Sequence, residues 1–303
     1  MTPCPGCNSS ALRGPIVRYV APFNGQNYSL YHCRTCGLEF WTPLAIIREF
    51  YEQSADGLYD VLHDDARGAE ANMLMFFEQV PLKSGKVLDI GCGNGAFLKE
   101  AQDRGFEGVG IEFDSKSAEV CARKGLREIF GGTLDAFRSG RADLAGTFDA
   151  VTFFEVLEHQ DDLSGFIDAV RWALRRGGYI ALSVPNRARL SNFGIKALAR
   201  LVAAEKLHSL STHDFPPHHF TWWSPPVLRR FLASRGFGDI EITLLVMERA
   251  SRAQYYRTMV SKVTAALGAG ELSSNALDRL YGVLAMNRFG FHNRMFCCAR
   301  LLD

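Results

Sequence analysis

The chain has 303 residues and a formal net charge of +1; hydrophobic residues make up 47% of it and charged residues 22%. That length suits one large domain with an appendage, or two ordinary domains, and the near-neutral balance gives no reason to expect a nucleic-acid or membrane-surface protein. No run of 18 apolar residues occurs, so no transmembrane span is expected, and the opening MTPCPGCNSS lacks the basic-then-apolar pattern of a signal peptide, which leaves a cytoplasmic location as the default.

Four of the eight cysteines form two pairs, 4-CPGC-7 and 33-CRTC-36, with 25 residues between them. In a reducing compartment this spacing reads as zinc rather than disulfides. Each C-x-x-C turn offers two thiolates, and two such turns complete a tetrahedron. The β-like pieces 15-PIVRYVAPF-23 and 28-YSLYHC-33 lie between the pairs. Residues 1–42 are therefore expected to form a small zinc ribbon, with Cys4, Cys7, Cys33 and Cys36 holding a structural Zn²⁺. Cys92, Cys121, Cys297 and Cys298 sit in apolar contexts and read as packing residues.

Residues 43–82 read as a helical connector. Both 43-PLAIIREFYEQ-53 and 69-AEANMLMFFEQV-80 carry apolar residues at helical spacing, and Pro81 closes the segment.

From Lys86 strands and helices alternate. Strands are predicted at 86-KVLDIG-91, 107-EGVGIEF-113 and 148-FDAVTFF-154, with helices at 96-AFLKEAQDRG-105, 115-SKSAEVCARKG-125 and about 162–174. The turn 175-RRGG-178 then leads into a strand, 179-YIALSVP-185. This rhythm predicts an α/β fold, a doubly wound, mostly parallel sheet with helices on both faces. Two further strands, 238-GDIEITLLVME-248 and 295-MFCCARLL-302, flank an expected helical insertion at 249–294, which suits a lid or a partner surface.

The segment 87-VLDIGCGNGAF-97 reads as strand, tight glycine turn and helix start. Gly91, Gly93 and Gly95 have no Cβ, so a ligand can lie on the backbone, close to the free N–H groups that open the helix. Glu112 ends the next strand, 17 residues after Gly95, where a carboxylate can accept from both ribose hydroxyls. Gly91-x-Gly93-x-x-Ala96 also satisfies a permissive dinucleotide fingerprint, so spacing alone leaves NAD open.

The later segments decide between the two. 87-VLDIGCGNG-95, 110-GIEFD-114, 148-FDAVTFFEVLEH-159, 174-LRRGGYIALSVPN-186 and 236-GF-237 occur in an order that resembles the class I S-adenosylmethionine-dependent methyltransferases over roughly residues 83–303. Many bacterial members carry a similar pair of N-terminal C-x-x-C knuckles and act on sugars or other small hydroxylated metabolites. The resemblance implies a Rossmann-like sheet of seven strands, the last antiparallel, and S-adenosylmethionine as cofactor. By position it implies that the Gly91–Cys92–Gly93–Gly95 turn lies under the methionine part of the cofactor, that Asp89 holds its amino group and that Glu112, next to Phe113, holds its ribose. It further puts Thr133 and Leu134 near the adenine and Phe154 beside the methyl group.

Beyond Phe154, 155-EVLEH-159 has E-x-x-E-H spacing. On a first helical turn Glu155, Glu158 and His159 share a face. Farther on, 213-HDFPPHHFTWW-223 lies in an expected active-site loop region, 187–225. Two groups of relatives, the ubiquinone-biosynthesis O-methyltransferases and the small-RNA 3′-terminal 2′-O-methyltransferases, use a similar cluster with a divalent cation. The second group adds a histidine in a stretch reading H-x-F-x-W, which 218-HHFTW-222 resembles, with His218 at that position. Three readings stand open. His218, His159, Glu155 and Glu158 are candidate catalytic residues for acid–base work, or the four could hold Mg²⁺ or Mn²⁺, or the loop is structural with Trp222 and Trp223 packed on the core. His219 is expected on the opposite side of an extended segment from His218, and His213 is a poorer candidate.

The acceptor expected on these grounds is a small hydroxylated molecule, and the reaction an O-methylation. The alternative is an RNA methyltransferase gripping nucleic acid through the ribbon. Against it, residues 1–42 hold only Arg13, Arg18 and Arg34 and no Lys, which is thin for phosphate tracking. A non-catalytic binding module and an NAD-dependent reductase are more remote.

Overall fold

The computed structural model describes residues 2–47, 50, 66–188, 215–246 and 292–302. The first connector helix, His213 and the expected insertion up to residue 291 thus lie largely or wholly outside the described residues. The chain folds as two compact units. One comprises Met1–Ala45, Pro185–Pro225 and Leu244–Arg294, the other Ile46–Val184, Pro226–Thr243 and Met295–Asp303.

The first unit contains a four-stranded sheet in which β1 (Leu12–Val20), β2 (Asn27–Cys33), β3 (Glu39–Thr42) and β9 (Thr221–Trp222) lie in that order. Its neighbours are antiparallel, with Leu12 opposite Cys33, Leu30 opposite Trp41, and Phe40 opposite Thr221. Strand alternation places Val17, Tyr19, Tyr28 and Leu30 on one buried face while Arg18 points outward. Trp41, Phe215, Phe220 and Trp222 complete that apolar core. The Trp41 ring meets Phe215 at 5.3 Å and Trp222 edge-on at 5.4 Å. The aromatic wealth of 213–223 is thereby explained, since three of its rings fill the ribbon's core. The chain leaving residue 185 is also tied here, with the Arg187 N–H donating to the Trp223 carbonyl at 2.7 Å.

The second unit is built on β4 (Gly85–Ile90), β5 (Phe106–Glu112), β6 (Ile129–Gly131), β7 (Phe148–Phe154) and β8 (Leu174–Pro185), joined by β10 (Phe237–Val246) and β11 (His292–Leu301). The seven strands lie in the order β10-β11-β8-β7-β4-β5-β6. Pairings among β4 to β8 are parallel. The Asn186 N–H donates to the Asn293 carbonyl, and Leu302 N–H to the Gly236 carbonyl, so β11 runs against both β8 and β10. The helices are α1 (Ala71–Gln79), α2 (Ala96–Asp103), α3 (Ser115–Arg123), α4 (Leu134–Gly140), α5 (Leu163–Ala173) and α6 (Pro225–Ala233).

Local causes are plain. Six of the seven residues of β7, FDAVTFF, are buried, as expected of a central parallel strand covered on both faces. In α5 the apolar stripe Leu163, Phe166, Ile167, Val170 is buried, and the Asp162 carboxylate caps the helix by accepting from Ser164 and Gly165 N–H. One boundary differs from expectation. Residues 175–178 do not precede the strand but belong to β8, as a bulge between the Phe148–Leu174 and Ala150–Tyr179 pairs, with Gly177 at φ 70°. No helix among the described residues is long and apolar enough to cross a membrane.

Candidate active site

Four strand ends meet at the carboxyl edge of the parallel sheet, where open α/β folds bind ligands. β4 runs into the glycine turn, in which Gly91, Gly93 and Gly95 take φ values of 68°, 52° and 72°. This left-handed backbone favours glycine. The turn is closed by Gly95 N–H to Cys92 O at 2.9 Å and pinned to β5 by Gly91 and Cys92 N–H, both donating to Ile111 O. Beneath it the Cys121 thiol donates to the Gly93 carbonyl at 3.2 Å.

Glu112 accepts from Gly93 N–H through Oε2 and from Asp114 N–H through Oε1, each at 2.9 Å. Burial pushes its carboxyl up against the lowering effect of these amides. Asp89 is also buried and accepts from the Thr152 hydroxyl at 2.7 Å; burial raises its pKa to about 7. Each carboxylate keeps spare lone pairs. Two acids beside a glycine-rich backbone turn fit a ligand that carries hydroxyls and an ammonium. Phe113, next to Glu112, is a large apolar side chain left 47% exposed. Thr133 caps α4, its hydroxyl accepting from Ala136 N–H, and Leu134 follows it, buried. The carbonyl of Arg67 accepts from both Asn94 Nδ2 and Lys124 Nζ at 3.2 Å, which straps the segment before α1 to the glycine turn.

At the end of β7, Phe154 packs against Phe97 of α2 with 5.1 Å between rings. Glu155 follows at φ 57°, and its Oε1 accepts from the Ser183 hydroxyl at 2.8 Å. Ser183 in turn accepts from Asn72 Nδ2 of α1 at 2.9 Å. The expected helical turn is a short 3₁₀ turn, Leu157–His159, and Glu155 lies before it. The three side chains of 155-EVLEH-159 therefore do not share one helical face. Glu158 is only 1% exposed, and its Oε1 lies 4.0 Å from His159 Nε2.

His218 belongs to the first unit and Glu155, Glu158 and His159 to the second. Residues 216–218 form a turn rather than an extended run. His218 and His219 accordingly stack, with ring centres 4.4 Å apart, instead of alternating sides.

Cys4, Cys7, Cys33 and Cys36 bring their sulfurs within 4.8 Å of one another. The Cys4–Cys36 and Cys7–Cys33 separations are 3.6 and 3.5 Å, close to the roughly 3.8 Å edge of a tetrahedron with Zn–S bonds of about 2.3 Å. The hydrogen bond between Cys4 and Cys36 draws the Cys36 thiol down to about 5 while holding that of Cys4 up. The four residues fit a zinc ion.

Residues 61–242 match the family described as the methyltransferase domain. The chain belongs to the class I S-adenosylmethionine-dependent methyltransferases. Among the curated relatives of this methyltransferase, a ubiquinone biosynthesis O-methyltransferase of Chromobacterium violaceum is 35% identical over 34% of this chain and 45% of its own length. One from Thiobacillus denitrificans is 32% identical over 54% of this chain and 69% of its own. The chain thus spans less than half of the first relative and about two thirds of the second. Solved structures share the methyltransferase fold. A SAM-dependent methyltransferase from Archaeoglobus fulgidus matches with a TM-score of 0.50 at 17% identity, over 84% of this chain and 99% of that one. Phosphoethanolamine N-methyltransferase 2 of Haemonchus contortus matches with a TM-score of 0.52 at 16% identity, over 88% and 63%.

Sequence reasoning missed the supporting side chains of this methyltransferase: Thr152 under Asp89, Cys121 under Gly93, and Ser183 and Asn72 behind Glu155. A signal existed for two of them. Thr152 and Ser183 are hydroxyls inside the apolar runs 150-AVTFF-154 and 180-IALSV-184, and a buried hydroxyl needs a partner.

Proposed function

We propose that the protein transfers the methyl group of S-adenosylmethionine to a hydroxyl of a small molecule. The observation that carries this reading is the Gly93–Glu112 hydrogen bond beside buried Asp89. It arranges a backbone cradle and two acceptors at adjacent strand ends, as a cofactor with a ribose and an amino-acid tail requires. The O-methyltransferase names of relatives at 31–35% identity support an oxygen acceptor.

In this reading Gly91, Cys92, Gly93 and Gly95 lie along the methionine portion, Asp89 takes the ammonium, Glu112 the ribose and Phe113 one face of the adenine, with Thr133 and Leu134 at its far edge. When bound, the cofactor supplies an electrophilic methyl group on a sulfonium. The protein's share is alignment, which can supply roughly 7–11 kcal/mol of a barrier, and removal of the hydroxyl proton, typically worth 10²–10⁴-fold. His159, next to buried Glu158, and His218 are the proposed proton acceptors. Because the Glu155 carboxylate is engaged by the Ser183 hydroxyl, we favour proton transfer to histidine over a Mg²⁺ or Mn²⁺ centre. A structural Zn²⁺ on the four ribbon cysteines completes the proposal.

Calorimetric titration with S-adenosylmethionine and with NADH tests it, followed by an assay for S-adenosylhomocysteine release with phenols, sugars and total RNA as acceptors. Turnover on a phenol or sugar is expected. Heat from NADH and none from S-adenosylmethionine would overturn the reading.

A further inference from the structure

The thiolate cluster and the segment 215–223 occupy the same unit, and three independent observations connect them. The first is hydrogen bonding. The ribbon strand β3 pairs antiparallel with β9, with Glu39 opposite Trp222, and the Trp41 N–H donates to the Phe220 carbonyl at 2.9 Å. The second is packing, since Phe215, Phe220 and Trp222 form one buried cluster with Tyr19, Tyr28 and Trp41. The third is covalent proximity. β2 ends at Cys33, and the Cys33 N–H donates to the Leu38 carbonyl while the Gly37 N–H donates back to the Cys33 carbonyl, so the second C-x-x-C knuckle is the turn that sets β2 against β3.

We infer that this ribbon is a metal-stapled scaffold whose job is to hold residues 215–223, and with them the stacked His218–His219 pair, rather than a module that grips a partner. The physical argument is one of size. A sheet of four short strands buries too little apolar surface to be secure by itself, and small folds of this kind rely on a metal or a disulfide. Losing the metal frees the knuckle that fixes β2 against β3. Among the described residues, β3 is the one ribbon strand against which β9 pairs, and a two-residue strand has no stability of its own. The arrangement makes Trp41 a positioning residue for the distant segment. Its side chain touches Phe215 and Trp222, and its N–H holds Phe220.

The inference requires zinc at the four cysteines but not methyl transfer, so it is tested without activity. Hydrogen exchange is followed on the full chain, as purified with zinc, after removal of zinc by dialysis against a chelator, and after zinc is added back. The Trp41 and Arg187 amides, which hold Phe220 and Trp223, are expected to exchange roughly 10²-fold faster without metal and to recover with it. The binding of S-adenosylmethionine, which uses the other unit, is expected to change less than about twofold. Phe220→Ala serves as the second variant. It is expected to keep one zinc per chain and yet lose protection at Trp41. Unchanged exchange at Trp41 and Arg187 in either the stripped protein or Phe220→Ala would overturn the inference. So would loss of cofactor affinity in step with the metal, which would make zinc a staple of the whole chain. Absence of cofactor binding under all conditions would sink the proposed function and leave the exchange result standing.

Discussion

The backbone N–H of Gly93 donates to Glu112 Oε2 at 2.9 Å, so the carboxylate expected to hold the ribose also fixes the peptide on which the cofactor would lie. Glu112→Ala removes both supports at once. Hydrogen bonds to a charged acceptor contribute about 1.5–3 kcal/mol each, so S-adenosylmethionine affinity should fall about 10- to 100-fold by calorimetry. Glu112→Gln, which keeps one acceptor oxygen, should lose less.

Asp89 carries a pH dependence. Its folded-state pKa of about 7 lies above the ordinary carboxylate value, so the folded chain holds this proton more tightly than the unfolded chain does. The resulting stability is fully present below about pH 4 and is lost as pH rises through about 7. In urea titrations, Asp89→Asn should therefore gain on the native protein between pH 5 and pH 8. Cofactor affinity should move the other way in the native protein and strengthen over the same interval, because the ionised carboxylate attracts an ammonium. Asp89→Asn should abolish that slope.

Ser183 links Asn72 to Glu155. Ser183→Ala leaves the buried Asn72 amide without this acceptor, at a cost of about 1–3 kcal/mol in chemical denaturation. With the Ser183 bond to Glu155 lost, turnover should fall while the dissociation constant of S-adenosylmethionine stays near its native value. An equal loss in both would assign the network to cofactor binding instead.

The two histidines are separated by kinetics. The one that accepts the proton should, on change to Ala, depress turnover by roughly 10²–10⁴ and spare cofactor affinity. His159→Ala and His218→Ala assayed side by side from pH 6 to 9 decide between them, and native turnover in both variants would remove histidine from the chemistry.

Much of the second unit was legible in the sequence for a physical reason. Strands such as 148-FDAVTFF-154 are buried on both faces, so their apolar runs state both their type and their place, and the glycine turn is a local requirement written in local residues. The parts that escaped are non-local. Nothing within a few residues of Thr221 indicates that two residues will pair with Glu39 and Phe40, because register across so long a separation leaves no periodicity. The left-handed Glu155 broke a helical spacing that looked sound, and the bulge in β8 absorbed what read as a turn. An extended segment would put His218 and His219 on opposite sides, but the chain turns there and the two rings stack.

The pairing of β3 with β9 also bears on how the chain is made. Strands β1 to β3 leave the ribosome some 180 residues before Thr221 does, an interval on the order of ten seconds or more at ordinary elongation rates. Throughout it, the edge of β3 is open and the apolar face around Tyr19 and Trp41 lacks the three rings that cover it. An uncovered edge of this sort invites pairing with a neighbouring nascent chain. Early capture of zinc by the four cysteines, all of them made within the first 36 residues, would hold the half-built sheet in register until its last strand arrives.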